Sequence, residues 1–509
     1  MLAKVISGAL IGIDAYPVEV EVDIAQGLPQ FSTVGLPEGA VKESKDRVKS
    51  AIKNSGYDFP ARRITINLAP ADIRKDGAAF DLPIAVGLLS ATGVVNAENL
   101  KNYILLGELS LDGRVKPVRG VLPIAVAARD WGSYALLLPV ENAEEGALVA
   151  GPDVFPVSDL GEAVALINGE RQLNAYRSST NLKEQHYGSD GEDFAEVRGQ
   201  EHVKRALEVA AAGSHNILMA GPPGSGKTML ARRLPTILPD FSFEEALETT
   251  KIHSVAGLLS RQNALVRQRP FRSPHHTISD AGLIGGGSYP RPGEVSLAHR
   301  GILFLDEFPE FKKNVLEMLR QPLEDGQVSI SRAALSLTYP ANFMLVAAMN
   351  PCPCGFLGDL QHDCSCTPAM VQRYRSRLSG PLLDRIDLHV EVPRVPHKDL
   401  TDDSPAETSA EIRQRVNLAR GIQRRRLLPY GLHANSQMQA RHIRRFCKLE
   451  QQGDALMAQV TDKLGLSARS FTRILKLART IADLAGVEQI STRHLSEAIQ
   501  YRGLDRKSI

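Results

Sequence analysis

The chain contains one segment whose residue types and spacing are those of a phosphate-binding loop. Small residues let successive backbone N–H groups approach the phosphates of a nucleotide, Lys227 adds a positive charge, and Thr228 offers a hydroxyl to Mg²⁺. The apolar run before the loop predicts a buried parallel strand, and the residues after it predict a helix whose N-terminus favours anions. The segment therefore predicts a nucleoside triphosphate site. Its members are Gly221, Pro222, Pro223, Gly224, Ser225, Gly226, Lys227 and Thr228.

A second group of polar residues follows predicted strands further along the chain. The run Ile302–Leu305 is apolar and is followed by Asp306 and Glu307. A buried strand that delivers carboxylates at its carboxyl end suits a nucleotide site, with Asp306 in the Mg²⁺ shell and Glu307 polarising the attacking water. Another predicted strand leads into Asn350, whose amide can hydrogen-bond the lytic water or the γ-phosphate.

Two arginines downstream are candidates for the same site. Arg385 stands in a short polar turn, where it can reach the γ-phosphate of a neighbouring subunit and stabilise transition-state charge. The alternative for Arg385 is a surface arginine paired with Asp384 or Asp387. An amphipathic helix predicted to start at Ser467 carries Arg469 in its first turn, within reach of a nucleotide, although a solvated helix charge is an alternative interpretation.

Four of the five cysteines lie within fifteen residues and form two C-x-C pairs. Four thiolates can close a tetrahedral Zn²⁺ site that has no open position for catalysis. We expect a structural metal that braces a loop with too little apolar content to fold alone. His362 is a substitute ligand if one cysteine is not used. The predicted ligands are Cys352, Cys354, Cys364 and Cys366.

Two insertions have features of a nucleic-acid interface. Residues 324–340 alternate in polarity on both sides of Arg332, which predicts a β-hairpin with a basic tip. Arg332 is a candidate contact to a DNA phosphate, and pairing with an acid of a neighbouring subunit is an equal alternative. Residues 275–287 suggest a mobile glycine-rich loop. The arginine cluster at 420–426 is interpreted as a solvated helix face.

The bulk composition sets limits on these interpretations. The net charge of +2 gives no overall positive field, so any DNA contact must be a local patch. Hydrophobic and charged contents of 43% and 23% are ordinary for a globular protein. No apolar run of about 18 residues predicts a membrane span, and polar residues interrupt the N-terminal segment too often for a signal peptide. We expect a cytoplasmic protein with no membrane partner.

At 509 residues the chain is too long for one core. Residues 1–175 alternate predicted strands and helices, and residues 176–195 form a polar linker. Residues 196–396 hold the nucleotide motifs, with the cysteine loop at 352–366. Residues 397–509 are predicted to be helical. The expected fold class is α/β.

The order of these motifs resembles that of AAA+ ATPases of the magnesium-chelatase-like branch, and more narrowly the ComM/YifB family of bacterial proteins. The strings PHHTISDAGLIGGG and NPCPCG carry the narrower likeness, and the resemblance extends over essentially the whole chain. It implies a AAA+ P-loop core with a C-terminal α-helical lid, ATP with Mg²⁺ as cofactor, and a ring of subunits, a homo-hexamer. The implied roles are Walker residues at Lys227, Thr228, Asp306 and Glu307, sensor 1 at Asn350, sensor 2 at Arg469 and a trans-acting arginine finger at Arg385.

The N-terminal segment resembles the proteolytic domain of Lon, through the strings IRKDGAAFDLPIAVGLLSA and GELSLDGRVKPVRGVLPIAVAA. That family needs a nucleophilic serine and a lysine that takes its proton. Here the serine position matches Ala79 and the lysine position matches Leu122. The resemblance therefore implies a Lon-like α/β domain without peptidase activity, serving assembly or DNA loading.

The resemblance to the ComM/YifB family implies an ATP-driven DNA translocase, a ring helicase that promotes branch migration in natural transformation. Single-stranded and branched DNA are the expected partners, with recombination proteins as further candidates. An alternative is a protein-remodelling or chelatase-type ATPase that acts on a protein partner, which the modest net charge also favours. The missing serine–lysine pair argues against a third interpretation, an ATP-dependent protease.

Overall fold

The structure is a computed structural model of the 509-residue chain. It describes all residues except 37–38, 72–74, 76, 133, 179–191, 261, 288–289, 333–334, 360, 397, 399–405 and 504–509. The chain divides into two compact units: unit 1 comprises Met1–Glu184 and Phe243–Arg267, and unit 2 comprises Gln185–Ser242 and Gln268–Ile509. The structure thus groups residues 243–267, which the sequence motifs place inside the ATPase core, with the N-terminal segment.

Unit 1 is built on a mixed sheet. Its strands are β1 (Leu2–Ile11), β2 (Asp14–Ala25), β3 (Gln30–Val34), β4 (Arg63–Ala69), β5 (Tyr103–Leu105), β6 (Glu108–Leu109), β7 (Val115–Lys116), β8 (Ala135–Pro139) and β9 (Val154–Val157). Seven of them form one sheet in the order β3-β4-β2-β1-β5-β8-β9. β2 pairs antiparallel with both β1 and β4, whereas β3, β5, β8 and β9 join their neighbours in parallel.

The helices of unit 1 pack on this sheet or on one another. They are α1 (Gly39–Asn54), α2 (Asp81–Ala91), α3 (Ala97–Leu100), α4 (Val121–Trp131), α5 (Ala143–Gly146), α6 (Leu160–Ile167) and, from the second segment of the unit, α9 (Phe243–Ala256). The period-two pattern of β2 buries Val18, Val20 and Val22 completely. A Cβ on Gly87 of α2 would lie 2.8 Å from Cγ2 of Val22, so this helix packs directly on the sheet.

Unit 2 contains a parallel sheet and a separate hairpin. Its strands are β10 (Ile217–Ala220), β11 (Phe271–Arg272), β12 (Gly285–Gly286), β13 (Arg291–Pro292), β14 (Ile302–Leu305), β15 (Gln327–Arg332), β16 (Leu335–Pro340), β17 (Met344–Met349) and β18 (Leu388–Glu391). Five of them form a parallel sheet in the order β11-β14-β17-β10-β18. β10, β14 and β17 are buried along their whole length, which explains their unbroken apolar sequences.

The helices of unit 2 surround this sheet and continue into the C-terminal part. They are α7 (Glu201–Gly213), α8 (Lys227–Arg233), α10 (Asp280–Ile284), α11 (Glu294–Leu297), α12 (Lys313–Met318), α13 (Arg320–Asp325), α14 (Pro368–Arg375), α15 (Gly380–Leu383), α16 (Ser409–Leu427), α17 (Ala440–Phe446), α18 (Gln451–Leu464), α19 (Ala468–Leu484) and α20 (Thr492–Gln500). The start of α19 is capped by the Ser467 side chain, as its sequence predicts. Val416 of α16 and Ile474 of α19 belong to the same apolar core as the parallel sheet.

The predicted α/β class is confirmed, and the parallel sheet is consistent with a AAA+ core. The likeness of unit 1 to the Lon proteolytic domain stays a prediction. Among the described residues, no helix combines the length and the apolar character that crossing a membrane requires.

Candidate functional site

The phosphate loop connects β10 to α8 at the carboxyl edge of the parallel sheet. The N–H of Gly221 donates to the carbonyl of Met349 at 3.2 Å, which ties the start of the loop to β17. Gly224 and Gly226 adopt left-handed φ angles of +76° and +89°, where other residues are strained. Because α8 begins at Lys227, the free N–H groups of its first turn lie next to the loop, an arrangement that binds anions.

Lys227 is buried, with 8% of its surface exposed. Its Nζ donates to the carbonyls of Gly221 and Pro222 at 2.7 and 2.9 Å, and to Oδ1 of Asn350 at 3.4 Å. Burial lowers the pKa of Lys227, and the carboxylate of Asp306 opposes that shift. The ammonium therefore rests mainly on neutral acceptors, and nucleotide phosphates would supply the missing countercharge.

Thr228 and Asp306 come together from two different elements. Oγ1 of Thr228, in the first turn of α8, donates to Oδ2 of Asp306, which follows β14, at 2.7 Å. Both side chains present oxygen, the ligand type that Mg²⁺ prefers. The pair therefore fits a Mg²⁺ site, where the ion would supply positive charge to nucleotide phosphates.

Glu307 has an unusual backbone and a carboxylate that is half exposed. Its φ is +51°, a left-handed conformation that is uncommon for a residue with a side chain and often marks functional sites. Its N–H donates to Oδ1 of Asp306 at 2.9 Å, and its Oε2 lies 3.1 Å from Nδ1 of His276. The sequence groups His276 with the glycine-rich loop, whereas the structure places its ring on Glu307.

Asn350 follows β17 and reaches Lys227, as described above. Its backbone N–H donates to the hydroxyl oxygen of Tyr374, a residue of α14 that the sequence motifs do not single out. Burial raises the pKa of Tyr374 to about 12, so the hydroxyl keeps its proton at neutral pH. This contact fixes the end of β17 to the helix that follows the cysteine loop.

Arg385 and Arg469 both contact Glu324, at the end of α13. Arg385 is buried and pairs with the Glu324 carboxylate, whereas Arg469 is half exposed and lies 3.4 Å from the other oxygen. The ion pair of Arg385 is therefore not with Asp384 or Asp387, the alternative partners. The Arg385 guanidinium lowers the pKa of Glu324. Two arginines assigned to nucleotide binding thus share one carboxylate that no motif predicted.

Asp387 joins the C-terminal helices to the parallel sheet. Its carboxylate pairs with Arg473 of α19, accepts the N–H of Asn216 at 3.0 Å and lies 3.5 Å from Nδ1 of His215. Burial acts to raise the pKa of Asp387, but Arg473 and His215 outweigh burial, and the net effect is a lowered pKa. This buried ionic contact fixes α19, and with it Arg469, against the sheet.

The four cysteines come together as the sequence predicts, with ligand atoms all within 4.8 Å of one another. Sγ of Cys352 lies 3.4 Å from that of Cys354 and 3.7 Å from that of Cys364, and the last two are 3.6 Å apart. A tetrahedron with metal–sulfur bonds of about 2.3 Å has sulfur–sulfur edges of about 3.8 Å, so the spacing fits a tetrahedral metal site. The ring of His362, the substitute ligand, stacks on Phe356 instead.

Backbone N–H groups favour thiolates in this cluster. The N–H of Phe356 and then the thiol of Cys352 lower the pKa of Cys354 to about 5. For Cys364, the N–H of Cys366 favours the thiolate, but burial and the neighbouring sulfurs outweigh it and raise the pKa to about 12. All four cysteines are free of disulfides. Crowded thiolates that oppose one another's ionisation fit a bound cation such as Zn²⁺.

The predicted hairpin is present as β15 and β16, which pair antiparallel. Arg332 is the last residue of β15, and its side chain and the tip residues 333–334 lie outside the described part of the chain. The solvent face of the hairpin carries hydroxyls, which are common ligands of DNA phosphates. They form two cross-strand pairs, Ser329 with Thr338 at 3.1 Å and Ser331 with Ser336 at 2.9 Å.

The arginine cluster of α16 only partly fits a solvated face. Arg424 and Arg425 are exposed. Arg420 donates to the carbonyl of Ala211 at 3.0 Å, and Arg426 pairs with the buried Asp483. Two members of the cluster therefore join α16 to other helices, Arg420 to α7 and Arg426 to α19.

In unit 1, the two positions that match the Lon serine and lysine carry no reactive group. Ala79 lies in the turn before α2, where its carbonyl accepts the N–H of Gly107 at 3.0 Å. Leu122 is completely buried in the first turn of α4. This arrangement offers neither a nucleophile nor a base at these positions.

A buried carboxyl, Glu145, lies next to that turn of α4. It accepts from the N–H of Leu122 at 3.0 Å, from Oγ of Ser254 at 2.5 Å and from Nδ2 of Asn142 at 3.0 Å. Burial raises the pKa of Glu145, although these donors oppose the shift. Its partners are therefore structural groups of unit 1, including one from α9.

Comparison with known families covers most of the chain. Residues 193–400 match the family model described as magnesium chelatase, subunit ChlI, and residues 406–502 match the C-terminal model of the same subunit. Residues 20–142 match a further model described as subunit ChlI of Mg-chelatase. All three matches thus refer to one subunit of magnesium chelatase.

Curated relatives include a magnesium-chelatase subunit and, at higher sequence identity, proteins that match almost the whole chain. The chain is 45% identical to the Competence protein ComM of Haemophilus influenzae, over 99% of this chain and 98% of that protein. It is 46% identical to the uncharacterized protein YifB of Escherichia coli, with the same coverage. The magnesium-chelatase 38 kDa subunit of Rhodobacter capsulatus is 26% identical, over 59% of this chain and 84% of that subunit.

Proposed function

The chain belongs to the ComM/YifB family of magnesium-chelatase-like AAA+ proteins, and from this premise we propose that it is an ATP-driven DNA translocase. Membership of the family implies ATPase activity. The observation that carries the proposal is the convergence of Lys227, the Thr228–Asp306 pair and Asn350 at one sheet edge, in the unit that also holds the β15–β16 hairpin.

The nucleotide chemistry follows from the contacts at the sheet edge. Thr228 and Asp306 would hold Mg²⁺, which supplies positive charge to the β and γ phosphates when ATP is bound. Lys227 exchanges its carbonyl contacts for phosphate oxygens. Glu307 orients and polarises the attacking water, and Asn350, already within reach of Lys227, hydrogen-bonds the γ-phosphate or that water.

A ring of identical subunits, a homo-hexamer, is part of the proposal. Arg385 contacts Glu324 in its own chain rather than any group of the phosphate loop in the described residues. Glu324 is half exposed but the Arg385 side chain is only 8% exposed, so the guanidinium must leave Glu324 and move outward to reach the phosphates of a neighbouring subunit's nucleotide. Arg385 then stabilises the charge that develops during phosphoryl transfer, and Arg469 contacts the nucleotide of its own chain.

The hairpin is the proposed DNA contact. Its solvent face carries paired hydroxyls and ends at Arg332, and both residue types bind phosphate oxygens without reading the bases. A sequence-independent contact of this kind suits a protein that must advance along any strand. The small net charge of the chain is consistent with a DNA contact confined to such a patch.

The biological setting is proposed from one relative. Because a relative covering the whole chain is named as a competence protein, we place the activity in the recombination of incoming DNA during natural transformation, in the cytoplasm. Branch migration of single-stranded and branched DNA is the proposed reaction, with recombination proteins as partners. The 1–175 segment, Lon-like and without peptidase activity, is proposed to serve assembly or DNA loading.

A structural Zn²⁺ completes the proposed cofactors. The four cysteines supply thiolate ligands at distances that suit a tetrahedral site and leave no open position. Metal analysis of protein purified without a histidine tag checks this, and substoichiometric zinc with four freely titratable thiols would rule it out.

The test of the proposed function is the effect of DNA on ATP hydrolysis. Single-stranded DNA should stimulate hydrolysis, and Arg332→Glu should reduce DNA affinity by about tenfold at fixed moderate salt, because phosphate contacts dominate such binding. Arg424→Glu, which reverses an exposed charge on α16, is the matched control and should bind DNA as the parent does. Equal DNA affinity of the parent and Arg332→Glu would contradict the assignment of the hairpin.

The alternative function is a chelatase-type ATPase acting on a protein partner. The matches to magnesium-chelatase models and the 26% identity to the 38 kDa subunit favour it. This alternative predicts a rate of ATP hydrolysis that stays the same when DNA is added.

A further inference from the structure

The segment between β17 and α14 links the metal-binding cysteines to the nucleotide site. It begins at Asn350, which contacts Lys227, and ends at Thr367, whose side chain caps α14. Among the described residues of this segment there is no helix or strand. Its backbone therefore takes its shape from side-chain cross-links rather than from a hydrogen-bonded ladder.

Gly355 brings the backbone of this segment directly onto the phosphate loop. Its φ is +87°, and a Cβ at this position would lie 2.6 Å from Cδ and 2.8 Å from Cγ of Pro223. No side chain fits in that space without moving one of the two loops. The contact is between backbone and a ring of the phosphate loop itself, so a displacement of Gly355 changes the surroundings of the loop.

The cysteine cluster sets the position of Gly355. The N–H of Gly355 donates to the carbonyl of Cys352 at 3.0 Å, and its chain neighbour Cys354 is a ligand of the cluster. Two other cross-links hold the segment, from Arg394 to Asp359 at 2.8 Å and from Arg375 to the carbonyl of Pro351. Neither hydrogen-bonds a residue from 352 to 355, where the cluster is the principal restraint among the described contacts, whereas Phe356 stacks on His362 and lies 5.9 Å from the Arg394 guanidinium.

We propose that the tetrathiolate metal site is a structural control on nucleotide binding: the bound ion fixes the Cys352–Gly355 turn, and that turn holds the phosphate loop in its nucleotide-binding shape through Pro223. The proposal rests on ATP binding alone and does not depend on DNA translocation. It predicts that loss of metal weakens nucleotide binding while the parallel sheet stays folded.

Two glycines of the segment provide a matched pair for the first test. Gly355 and Gly358 have φ angles of +87° and +81°, but a Cβ on Gly358 has nothing within 4 Å. Both alanine variants carry the same left-handed strain, and only Gly355→Ala intrudes on Pro223. With a fluorescent ADP analogue, we expect Gly355→Ala to bind about tenfold more weakly than the parent and Gly358→Ala to stay within about twofold.

The double variant Gly355→Ala/Pro223→Ala identifies the contact responsible. Pro223→Ala removes the two ring carbons that the new Cβ would meet, so part of the lost affinity should return. Equal affinities of Gly355→Ala and Gly358→Ala would overturn the proposal, as would a double variant whose loss is the sum of the single losses.

The second test changes the metal itself in the whole protein. A zinc-selective chelator, followed by gel filtration and addition of Mg²⁺, should lower affinity for the ADP analogue in step with zinc content, and added Zn²⁺ should restore it. Cys364→Ser should give the same loss, whereas Cys447→Ser, at the remaining cysteine outside the cluster, should keep its zinc and its affinity. Circular dichroism checks that the secondary structure persists.

Unchanged nucleotide affinity in zinc-free protein would overturn the proposal, and so would a purified parent protein that contains no metal. All of these measurements are made without DNA. A failure here therefore stays distinct from a failure of DNA to stimulate hydrolysis, which would count against the proposed function instead.

Discussion

Units 1 and 2 both bury charged and polar groups, but they surround them differently. In unit 2, Lys227 lies against backbone carbonyls and an amide, with Asp306 beyond, at an open sheet edge. In unit 1, Glu145 accepts hydrogen bonds from three groups packed around it. Among the described residues, the hydrogen-bond acceptors of the lysine are all neutral, which leaves it able to bind an anion, whereas the carboxyl has its donors within unit 1.

This difference teaches how to separate a site from a structural cluster. Residue type does not make this distinction, since Glu307 and Glu145 are both glutamates. Exposure and hydrogen-bond partners separate the two cases. Glu307 is half exposed and faces His276, whereas Glu145 is buried among hydrogen-bond donors. The same substitution at these two positions should therefore affect different properties of the molecule.

The largest expected effect is that of Glu307→Gln. Removal of the carboxylate proposed to polarise the attacking water should lower the rate of ATP hydrolysis by roughly 10²- to 10⁴-fold, while ATP still binds. Glu145→Gln should leave the rate within about twofold, because the donors that meet its carboxyl in the described part of the chain are structural groups of unit 1. Steady-state phosphate release and binding of a fluorescent ATP analogue check both variants. Similar losses of turnover in the two would remove the distinction drawn between the units.

Mixing two inactive variants tests whether the nucleotide site needs a second subunit. Arg385→Ala and Lys227→Ala should each lose at least about 10²-fold in ATPase rate. Mixed rings contain interfaces where an intact Lys227 meets an intact Arg385, so activity should partly return on mixing. The control mixes Lys227→Ala with Glu307→Gln, two defects of the same chain's site, which should stay inactive. Absence of recovery in the first mixture would contradict a trans-acting Arg385.

Glu145→Ala should destabilise unit 1 and leave ATP hydrolysis near the parent value. The loss leaves the N–H of Leu122 and the groups of Asn142 and Ser254 without their buried acceptor, at a cost of about 1–3 kcal/mol. Trp131, the single tryptophan of the chain, lies in α4 of unit 1 and reports its unfolding by fluorescence in urea. An unchanged unfolding midpoint would show that this cluster contributes nothing to unit 1.

The smallest effect is the pH dependence of unit 1. Burial raises the pKa of Glu145, so the folded state keeps a proton that the unfolded state releases. The stabilisation is therefore complete below the ordinary glutamate pKa and is lost as the pH rises through the raised value. Each tenfold difference in proton affinity between the folded and unfolded states contributes about 1.4 kcal/mol. Asp81, whose pKa burial raises to about 6 against the opposing Arg47, acts in the same direction.

The urea concentration at the unfolding midpoint, reported by Trp131, should therefore decrease as the pH rises from about 4 to about 6. Glu145→Gln should make this decrease smaller. A midpoint that rises over this range equally in both proteins would show that the Glu145 carboxyl ionises freely in the folded state.

The nucleotide site was predictable because its residues follow strands. Asp306 and Asn350 each stand just beyond an apolar run, Lys227 ends the glycine-rich loop that follows another, and parallel strands bring their carboxyl ends to one edge. The cysteine cluster was predictable from spacing alone. The hairpin and the start of α19 followed from alternation and from Ser467, which are local signals.

What the sequence did not predict are contacts between distant segments. Glu324 lies 61 residues from Arg385, and nothing near either residue indicates the pair. His276 meets Glu307 only because β11 and β14 are neighbours in the sheet. The placement of 243–267 in unit 1 depends on tertiary packing, including Ser254 on Glu145, that no local pattern encodes.

The central claim, that this chain couples ATP hydrolysis to movement along DNA, is tested most directly with a branched substrate. Purified protein is incubated with a labelled four-strand DNA junction, and conversion to two-strand products is followed on native gels. We predict conversion that requires hydrolysable ATP and is lost in Glu307→Gln. Intact junctions in the presence of protein that hydrolyses ATP at the same rate with and without DNA would contradict the account.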